Sequence, residues 1–161
     1  MKQLETHQVQ IGENTFWIRP FPAFKAACLS GELASVILPI VSGLAPIMSK
    51  TGKDQGLLDI EVDGEVANIV SDAFASLSGD KLEKVLKHLL INGKTISYEN
   101  DETGKATLLT EDIANELFCS EVQDMFILAF EVIKTNYNGF FKKLAVQFGS
   151  VTQTEKKKAA R

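Results

Sequence analysis

Apolar residues recur at steps of three and four between Glu121 and Gly149, and this spacing predicts a helix around which the chain is organised. The apolar side of this helix consists of Val122, Phe126, Ala129, Phe130, Ile133, Tyr137, Phe140, Phe141, Leu144 and Phe148. Ile127, Leu128 and Val132 extend the apolar surface around its first half, whereas Glu131 and Lys134 are expected on its polar surface. Since a helix that is apolar on several faces is normally buried on several faces, we predict a central core helix.

A second interpretation of the same helix is that part of its aromatic surface binds another polypeptide. The residues assigned to partner binding on this hypothesis are Phe126, Phe130, Tyr137, Phe140 and Phe141. Phe140 and Phe141 lie beyond Gly139 and are the strongest candidates.

Two short β-hairpins are predicted. The first joins 7–11 to 15–19 through Gly12-Glu13-Asn14, because Gly and Asn tolerate positive φ. The second joins 95–98 to 106–109 around the polar turn 100–104. Because a two-stranded ribbon is only marginally stable, each hairpin must pack on helices or pair with another strand. The sequence leaves open whether the two hairpins pair with each other.

The segment after Pro22 has a helical pattern, and its candidate core positions are Phe24, Ala27, Cys28, Leu33, Val36 and Ile37. Ser30-Gly31, Pro39 and Pro46 predict two or three shorter helices, because a proline removes a helical hydrogen bond. The stretch 26–48 is apolar, but Glu32 and the glycines and prolines interrupt it. We therefore expect an internal segment of a soluble protein and no membrane span.

Further amphipathic helices are predicted at 66–77 and 82–90, and Thr110 is expected to cap a short helix. The predicted fold is mainly α, of the α+β type, with about five or six helices and two small β-hairpins. We expect one domain over 1–150 and a basic, disordered tail over 151–161.

The charge distribution argues against nucleic-acid binding. The net charge is −4, but residues 155–161 carry +3, which leaves −7 on the rest of the chain. An acidic body lacks the clustered Lys and Arg that a nucleic-acid surface needs. Cys28 and Cys119 lie in apolar helical contexts and are expected to be small buried side chains in a reducing cytoplasm.

Signals of catalysis or metal binding are weak. The acidic run 59–65 resembles a calcium loop, but it lacks the closing bidentate Glu, so Asp63 and Glu65 are better explained as a helix start. The sequence has no GxSxG, GxxxxGK[ST], GxGxxG or HExxH motif. We therefore expect no enzymatic activity, no cofactor and no metal site.

Several runs of residues resemble a known family. In the C-terminal half they are Asn115-Glu-Leu-Phe118, Met125-Phe126 and Glu131-Val-Ile-Lys134-Thr-Asn-Tyr-Asn-Gly-Phe-Phe141. In the N-terminal half they are Arg19-Pro-Phe-Pro-Ala-Phe-Lys25 and Leu29-Ser-Gly-Glu-Leu-Ala34. Together these runs are similar to the small tail assembly chaperones of long-tailed bacteriophages and related prophages, over roughly residues 15–148.

This resemblance implies a non-enzymatic assembly factor in the host bacterial cytoplasm. It implies that the chain coats the tape measure protein, keeps it soluble and is absent from the mature virion. Self-association is a separate hypothesis, based on the excess of apolar helix surface, and it would use either the edge of a hairpin or the aromatic end of the last helix. The resemblance also implies recruitment of the tail tube protein through a longer, frameshifted form, for which the codons of Lys156, Lys157 and Lys158 are the candidate slippery site. The alternatives are a structural tail component, such as a tube or connector subunit, and a small enzyme of unknown chemistry.

Overall fold

The computed structural model of this chain describes residues 5–51, 61–100 and 102–139. These residues form a mostly helical α+β fold with five helices and one four-stranded antiparallel sheet, which confirms the predicted fold class. The elements in chain order are β1 (His7–Ile11), β2 (Asn14–Ile18), α1 (Ala23–Thr51), α2 (Gly64–Ala75), α3 (Gly79–Leu90), β3 (Ile96–Asn100), β4 (Lys105–Leu108), α4 (Glu111–Leu117) and α5 (122–139).

The two predicted hairpins join into one sheet in the order β1-β2-β3-β4. The first hairpin turns through two residues, Gly12 and Glu13, with Gly12 at φ +58°. A glycine with positive φ at the first turn position is typical of a type II′ hairpin. The pairing that the sequence left open runs between β2 and β3, where Ile18 lies opposite Ile96.

The sheet has one buried and one open face. Ile11, Phe16, Ile18 and Ile96 are buried, and the Phe16 ring stacks on Phe118 with 5.9 Å between centroids. The alternate residues, which include Trp17 and Leu108, are exposed or half-buried. Helices therefore cover a single face, as is common in antiparallel sheets.

Helix α1 is continuous over 29 residues and contains both Pro39 and Pro46, so the prediction of two or three shorter helices is wrong. The reason is a stripe of fully buried side chains along one side, made of Leu33, Val36, Ile37, Ile40 and Leu44. Each of these contributes roughly 1.5–3 kcal/mol on burial. A proline inside a helix costs about 3 kcal/mol. Burial of the stripe thus outweighs two prolines on the solvent side.

The predicted core positions Phe24, Ala27 and Cys28 are wrong, because all three are exposed. Cys119 is exposed as well, contrary to the expectation of buried cysteines. In α1 the buried stripe begins at Leu29, so these three residues lie on the opposite side of the helix. A segment that is apolar on all sides does not reveal which side will be buried.

Close packing of α1 on α2 depends on Gly43. A Cβ atom at this position would lie 2.6 Å from Cγ2 of Ile69 on α2. That distance is far inside van der Waals contact, so a side chain at position 43 would force the two helices apart or shift Ile69. At Gly31, twelve residues earlier on the same helix, a Cβ would meet no atom within 4 Å.

Helix α5 is the central helix over its described part, 122–139. Leu128, Ala129, Phe130, Val132 and Ile133 are all fully buried, and Phe126 stacks on Phe74 of α2 with 5.3 Å between ring centroids. The rest of the predicted helix, 140–149, lies outside the described residues, as do residues 52–60 and the C-terminal residues 151–161.

Glu131 and Lys134, which the sequence places away from the apolar side of α5, are buried as well. Both are only 4% exposed, and Lys134 Nζ lies 2.9 Å from Glu131 Oε1 and 5.3 Å from the centroid of the Phe130 ring. His7 Nε2 on the sheet lies 3.8 Å from Glu131 Oε2. The core surrounds this part of α5, so these two charged residues are buried, and their pairing at i and i+3 offsets the cost of burying each charge.

We predict opposite effects for one substitution at two positions of α1. Gly31→Ala should stabilise the fold by about 0.5–1 kcal/mol, since alanine favours helix and the methyl group meets nothing. Gly43→Ala should destabilise it by about 1 kcal/mol or more through overpacking against Ile69. Urea unfolding of the two variants measures both values. A gain in stability at both positions would contradict the close contact between α1 and α2.

We also predict that removal of one partner of the buried ion pair destabilises the fold. Lys134→Met should cost about 3 kcal/mol, because it leaves a buried carboxylate without its cation. The double variant Glu131→Leu/Lys134→Met should recover most of that loss. Thermal and urea unfolding of both variants provide the test, and equal destabilisation by the single and double variants would contradict it.

Candidate partner-binding surface

The solvent side of α1 is an uncharged and mostly apolar strip, which we call the outer face of α1. Its exposed residues are Phe24, Ala27, Cys28, Gly31, Leu38, Pro39, Ser42 and Ala45. Phe24 is 89% exposed and Leu38 is 43% exposed, both high for large apolar side chains. Between Ala23 and Ile47 none of the exposed residues carries a charge. Single exposed apolar residues are ordinary, but a contiguous patch of them marks an interaction site.

The shape of the outer face suits an elongated partner. Phe24, Gly31, Leu38 and Ala45 recur every seven residues, so they follow one line along the helix with a drift of only about 20° per repeat. At a rise of 1.5 Å per residue, the strip from Phe24 to Ala45 is about 30 Å long and one helix wide. Because Gly31 and Ala45 are small, a partner's backbone can approach α1 closely beside Leu38.

The opposite side and the flank of α1 are committed to the fold. Its buried stripe packs on α2 and the core. Glu32 at the flank forms an ion pair with Lys84 of α3, with 3.2 Å between Glu32 Oε1 and Lys84 Nζ. His88 Nε2 of α3 lies 4.0 Å from the other oxygen of Glu32. These contacts fix which side of α1 faces solvent.

Helix α1 is also long and apolar enough to cross a membrane by length and composition. Within Ala23–Ile47 the most apolar window of 18 residues has a mean hydropathy of 1.7, and 39% of that window is buried within the protein. The core helix of a soluble protein meets the same criteria, and the buried stripe of α1 is part of the main core here. We therefore interpret α1 as a core helix with one apolar side in solvent.

A second apolar depression lies between α3, α4 and the start of α5. Its volume is about 300 Å³, and its floor is formed by Leu82, Leu86, Leu90, Ile91, Ala114 and Met125. Lys87 Nζ bridges its rim, at 2.8 Å from Glu83 Oε1 and 3.1 Å from Glu111 Oε1. The hydrogen bond from Lys87 lowers the pKa of Glu83. The pKa of Lys87 is raised by its hydrogen bond to Glu83 and by its hydrogen bond to Glu111.

The aromatic residues assigned to partner binding from the sequence are located as follows. Phe126, Phe130 and Tyr137 are buried in the core, and Phe140 and Phe141 lie outside the described residues. Partner binding by these five residues therefore stays a proposal, and the three described rings would become accessible only if the core opened.

Sequence reasoning missed Leu38 as a surface residue. The signal that points to it is the scarcity of charge in α1, where Lys25, Glu32 and Lys50 are the only charged residues among 29. Such a helix has too little charged surface to cover its solvent side.

Tyr137 joins α5 to α1. Its hydroxyl donates a hydrogen bond to the carbonyl oxygen of Ala26 at 2.7 Å, and the neighbouring Asn136 Oδ1 accepts one from the Phe21 amide at 2.6 Å. Burial raises the pKa of Tyr137 to about 12, because the phenolate would be poorly solvated there. These bonds fix the first turn of α1, and hence the position of Phe24.

The described part of the acidic run behaves as a helix start. Asp63 is the N-cap of α2, and its Oδ1 accepts a hydrogen bond from the Val66 amide at 3.0 Å. Asp59 lies outside the described residues. Across 5–51, 61–100 and 102–139 there is no group of three His, Cys, Asp or Glu side chains that would hold a metal ion.

We predict an alkaline loss of stability that depends on Tyr137. An unfolded tyrosine has a pKa near 10. The folded pKa is about 12, so the contribution of Tyr137 to the free energy of unfolding is full below pH 10 and is lost as the pH rises towards 12.

The test uses a Tyr98→Phe background, in which phenolate absorbance reports Tyr137 alone, since the chain has two tyrosines. Tyr137→Phe should weaken the fold by about 1 kcal/mol at neutral pH and flatten the alkaline dependence. A titration midpoint near 10 in the folded protein would refute this.

Comparison with known proteins gives one finding. A family model described as "Phage tail assembly chaperone protein, TAC" matches residues 12–149, which is most of the chain and includes all five helices and strands β2, β3 and β4. No curated protein and no solved structure matches the chain. The match confirms the resemblance noted in the sequence. This chain therefore belongs to the family of phage tail assembly chaperones, which are non-enzymatic.

Proposed function

We propose that this chaperone binds the tape measure protein during tail assembly, keeps it soluble and helps to recruit tail tube subunits. The observation that carries the proposal, beside the family match, is the charge-free outer face of α1. A chaperone for a long helical client needs an apolar surface that stays in solvent while the chaperone itself remains folded. The outer face of α1 meets this requirement, because the opposite side of the same helix supplies the core.

The client segment that fits this surface is an amphipathic helix. Such a helix presents apolar residues at i, i+3, i+4 and i+7, and these pack between the side chains of another helix. Leu38 offers the central contact, Phe24 lies at one end of the strip and Ala45 at the other. Because the strip is uncharged, a client face that carries charged residues would lose their hydration without gaining partners.

The size of the surface predicts a contact that is weak for one copy. One helix lying along a strip of about 30 Å buries far less than the roughly 800 Å² per partner of a standard interface. A long client would bind many copies, and the combined contacts would hold it in solution. Each copy still dissociates singly, so tube subunits can displace the coat step by step.

The proposal places the protein in the host bacterial cytoplasm and outside the mature virion. Recruitment of tail tube protein would use a longer product, read through a frameshift near the codons of Lys156, Lys157 and Lys158. We also propose that copies of the chain associate with one another. Phe140 and Phe141 are proposed as further contacts with the client.

Co-expression with a tape measure fragment tests the client site. The wild-type chain should keep the fragment in the soluble fraction, and Phe24→Glu and Leu38→Glu should each reduce the soluble amount at least several-fold. The matched control is Val122→Glu on α5, a substitution at a residue that is 49% exposed and lies outside the outer face of α1. All three variants should unfold near the wild-type temperature, since none of these side chains is buried. Equal solubilisation by wild type and both α1 variants would reject the outer face as the client site.

The same experiment distinguishes the second apolar surface. Met125→Glu places a charge in the depression between α3, α4 and α5. Loss of solubilisation by Met125→Glu, with none by Leu38→Glu, would move the client site to that depression. Mass spectrometry of purified tails tests the remaining alternative, because a structural subunit persists in particles and an assembly factor does not.

A further inference from the structure

We propose that the outer face of α1 selects its client through two backbone carbonyl oxygens, those of Ser35 and Ser42, which accept hydrogen bonds from uncharged side chains of the client. The partner is an amphipathic helix that carries Gln, Asn, Ser or Thr at seven-residue intervals beside its apolar contact line. The proposal rests on the client site proposed above and adds which helices that site selects.

The two prolines of α1 determine which carbonyl groups are affected. In a regular α-helix, the carbonyl oxygen of residue i accepts a hydrogen bond from the amide of residue i+4. Pro39 and Pro46 both lie inside α1. A proline has no amide hydrogen, and its ring clashes with the carbonyl group of residue i−4. The carbonyl oxygens of Ser35 and Ser42 therefore lack the amide that would bond them in a regular helix.

Both serines lie on the solvent side of α1. Ser42 is exposed and Ser35 is half-buried, whereas the buried stripe occupies the opposite side. Ser35 lies four residues after Gly31, so the two are neighbours on the helix surface. Ser42 has the same relation to Leu38. Since carbonyl groups on the solvent side of a helix tilt outwards, the two acceptors lie directly beside the apolar strip.

The spacing of the two acceptors matches that of the strip. Ser35 and Ser42 are seven residues apart, which is two helical turns or about 10.5 Å. The strip itself repeats every seven residues, as Gly31 and Leu38 show. A helix that lies along α1 presents its side chains at the same interval. One line of client residues therefore meets the apolar strip, and a neighbouring line on the same client meets both carbonyl oxygens.

The chemistry of the acceptors defines the side chains that fit. A carbonyl oxygen only accepts hydrogen bonds, so the client must supply donors, and carboxylates, which are acceptors themselves, are excluded. Lys and Arg donate, but their charge would lose its hydration on the uncharged strip. Amide and hydroxyl side chains donate without charge. Gln and Asn fit best, because Ser and Thr hydroxyl groups in a helix bond to carbonyl groups of their own helix.

The two carbonyl groups make the strip selective among apolar helices. A client helix without donors would cover both oxygens and remove their water. An acceptor that is buried without a donor lowers affinity by about fivefold or more. The apolar residues of the strip thus attract amphipathic helices in general, and the carbonyl groups disfavour those that lack donors at the right interval.

The position of the prolines also favours a role in binding. Pro39 and Pro46 are exposed and contribute nothing to the buried stripe, although each weakens the helix. Alanine at either position would supply the regular amide and a better helix former. Departures from the most stable local sequence are concentrated at functional sites. Two such departures, seven residues apart on the exposed side of one helix, therefore support a shared role.

Titration of the full chain with two designed peptides, followed by NMR, tests the proposal. Each peptide is a helix of about 22 residues, which covers the strip, with a contact line of Leu and Ala. One carries two Gln residues seven positions apart beside that line, and the other carries Met at the same two positions. Pro39→Ala supplies an amide to the Ser35 carbonyl, so it should lower the preference for the Gln peptide over the Met peptide by about fivefold or more. Comparing preferences cancels the greater hydrophobicity of Met and the loss of the proline ring.

Three further variants complete the comparison. Pro46→Ala should lower the preference in the same way through Ser42. The matched control Gly31→Ala favours the helix without supplying an amide to either serine, and it should keep the wild-type preference. Both proline variants should unfold at a higher temperature than the wild type, so their lost preference would not reflect a damaged fold. A preference that is equal in the wild type and both proline variants would overturn the proposal.

The carbonyl carbon resonances give a direct measurement in the same titration. HNCO spectra record the Ser35 carbonyl through the amide of Val36 and the Ser42 carbonyl through the amide of Gly43. Both resonances should move upfield with the Met peptide, which removes water and offers no donor, and should not do so with the Gln peptide. An upfield shift with both peptides would contradict the proposed hydrogen bonds.

Leu38→Glu separates the carbonyl contacts from the client site itself. This variant should weaken the binding of both peptides equally, because it places a charge on the strip that both use. Equal weakening, together with an unchanged preference in the proline variants, would overturn the carbonyl contacts and leave the client site in place. Absence of binding to the wild-type chain, or binding that Leu38→Glu leaves unchanged, would reject the client site and the carbonyl contacts together.

Discussion

Helix α1 packs one of its sides into the core, and this burial organises the fold. Leu33, Ile37 and Leu44 hold a helix of 29 residues against α2 and the core, despite two prolines in its interior. The same packing decides which side of α1 remains in solvent. Because nearly the whole helix is apolar, the side left outside is mostly apolar too. The core and the proposed client surface are thus formed by opposite sides of the same helix.

The surroundings of α1 keep that arrangement rigid. Gly43 lets α2 approach to van der Waals contact, Tyr137 and Asn136 anchor its first turn to α5, and Glu32 is paired with Lys84 of α3. A chaperone with a solvent-exposed apolar strip needs such anchoring, because a loosely held α1 would turn its strip inwards. The chain belongs to the family of phage tail assembly chaperones, and the exposed strip is the surface that we propose for its client.

The sheet contributes a different property. It buries Phe16 and Ile18 against the helices and leaves both outer strands unpaired within the described residues.

Elements with local signals could be predicted from the residues alone. Gly12 and the turn before Lys105 define the hairpins, Asp63 and Thr110 cap their helices as helix-start patterns predict, and the aromatic spacing places α5 at the centre. Three features could not be predicted in this way: β2 pairs with β3, Phe24 and Cys28 face solvent, and Glu131 and Lys134 are buried as a pair. A strand edge can accept many partners, and an apolar helix has several equivalent sides. The choice among them is made by long-range packing, which leaves no periodic signal in the chain.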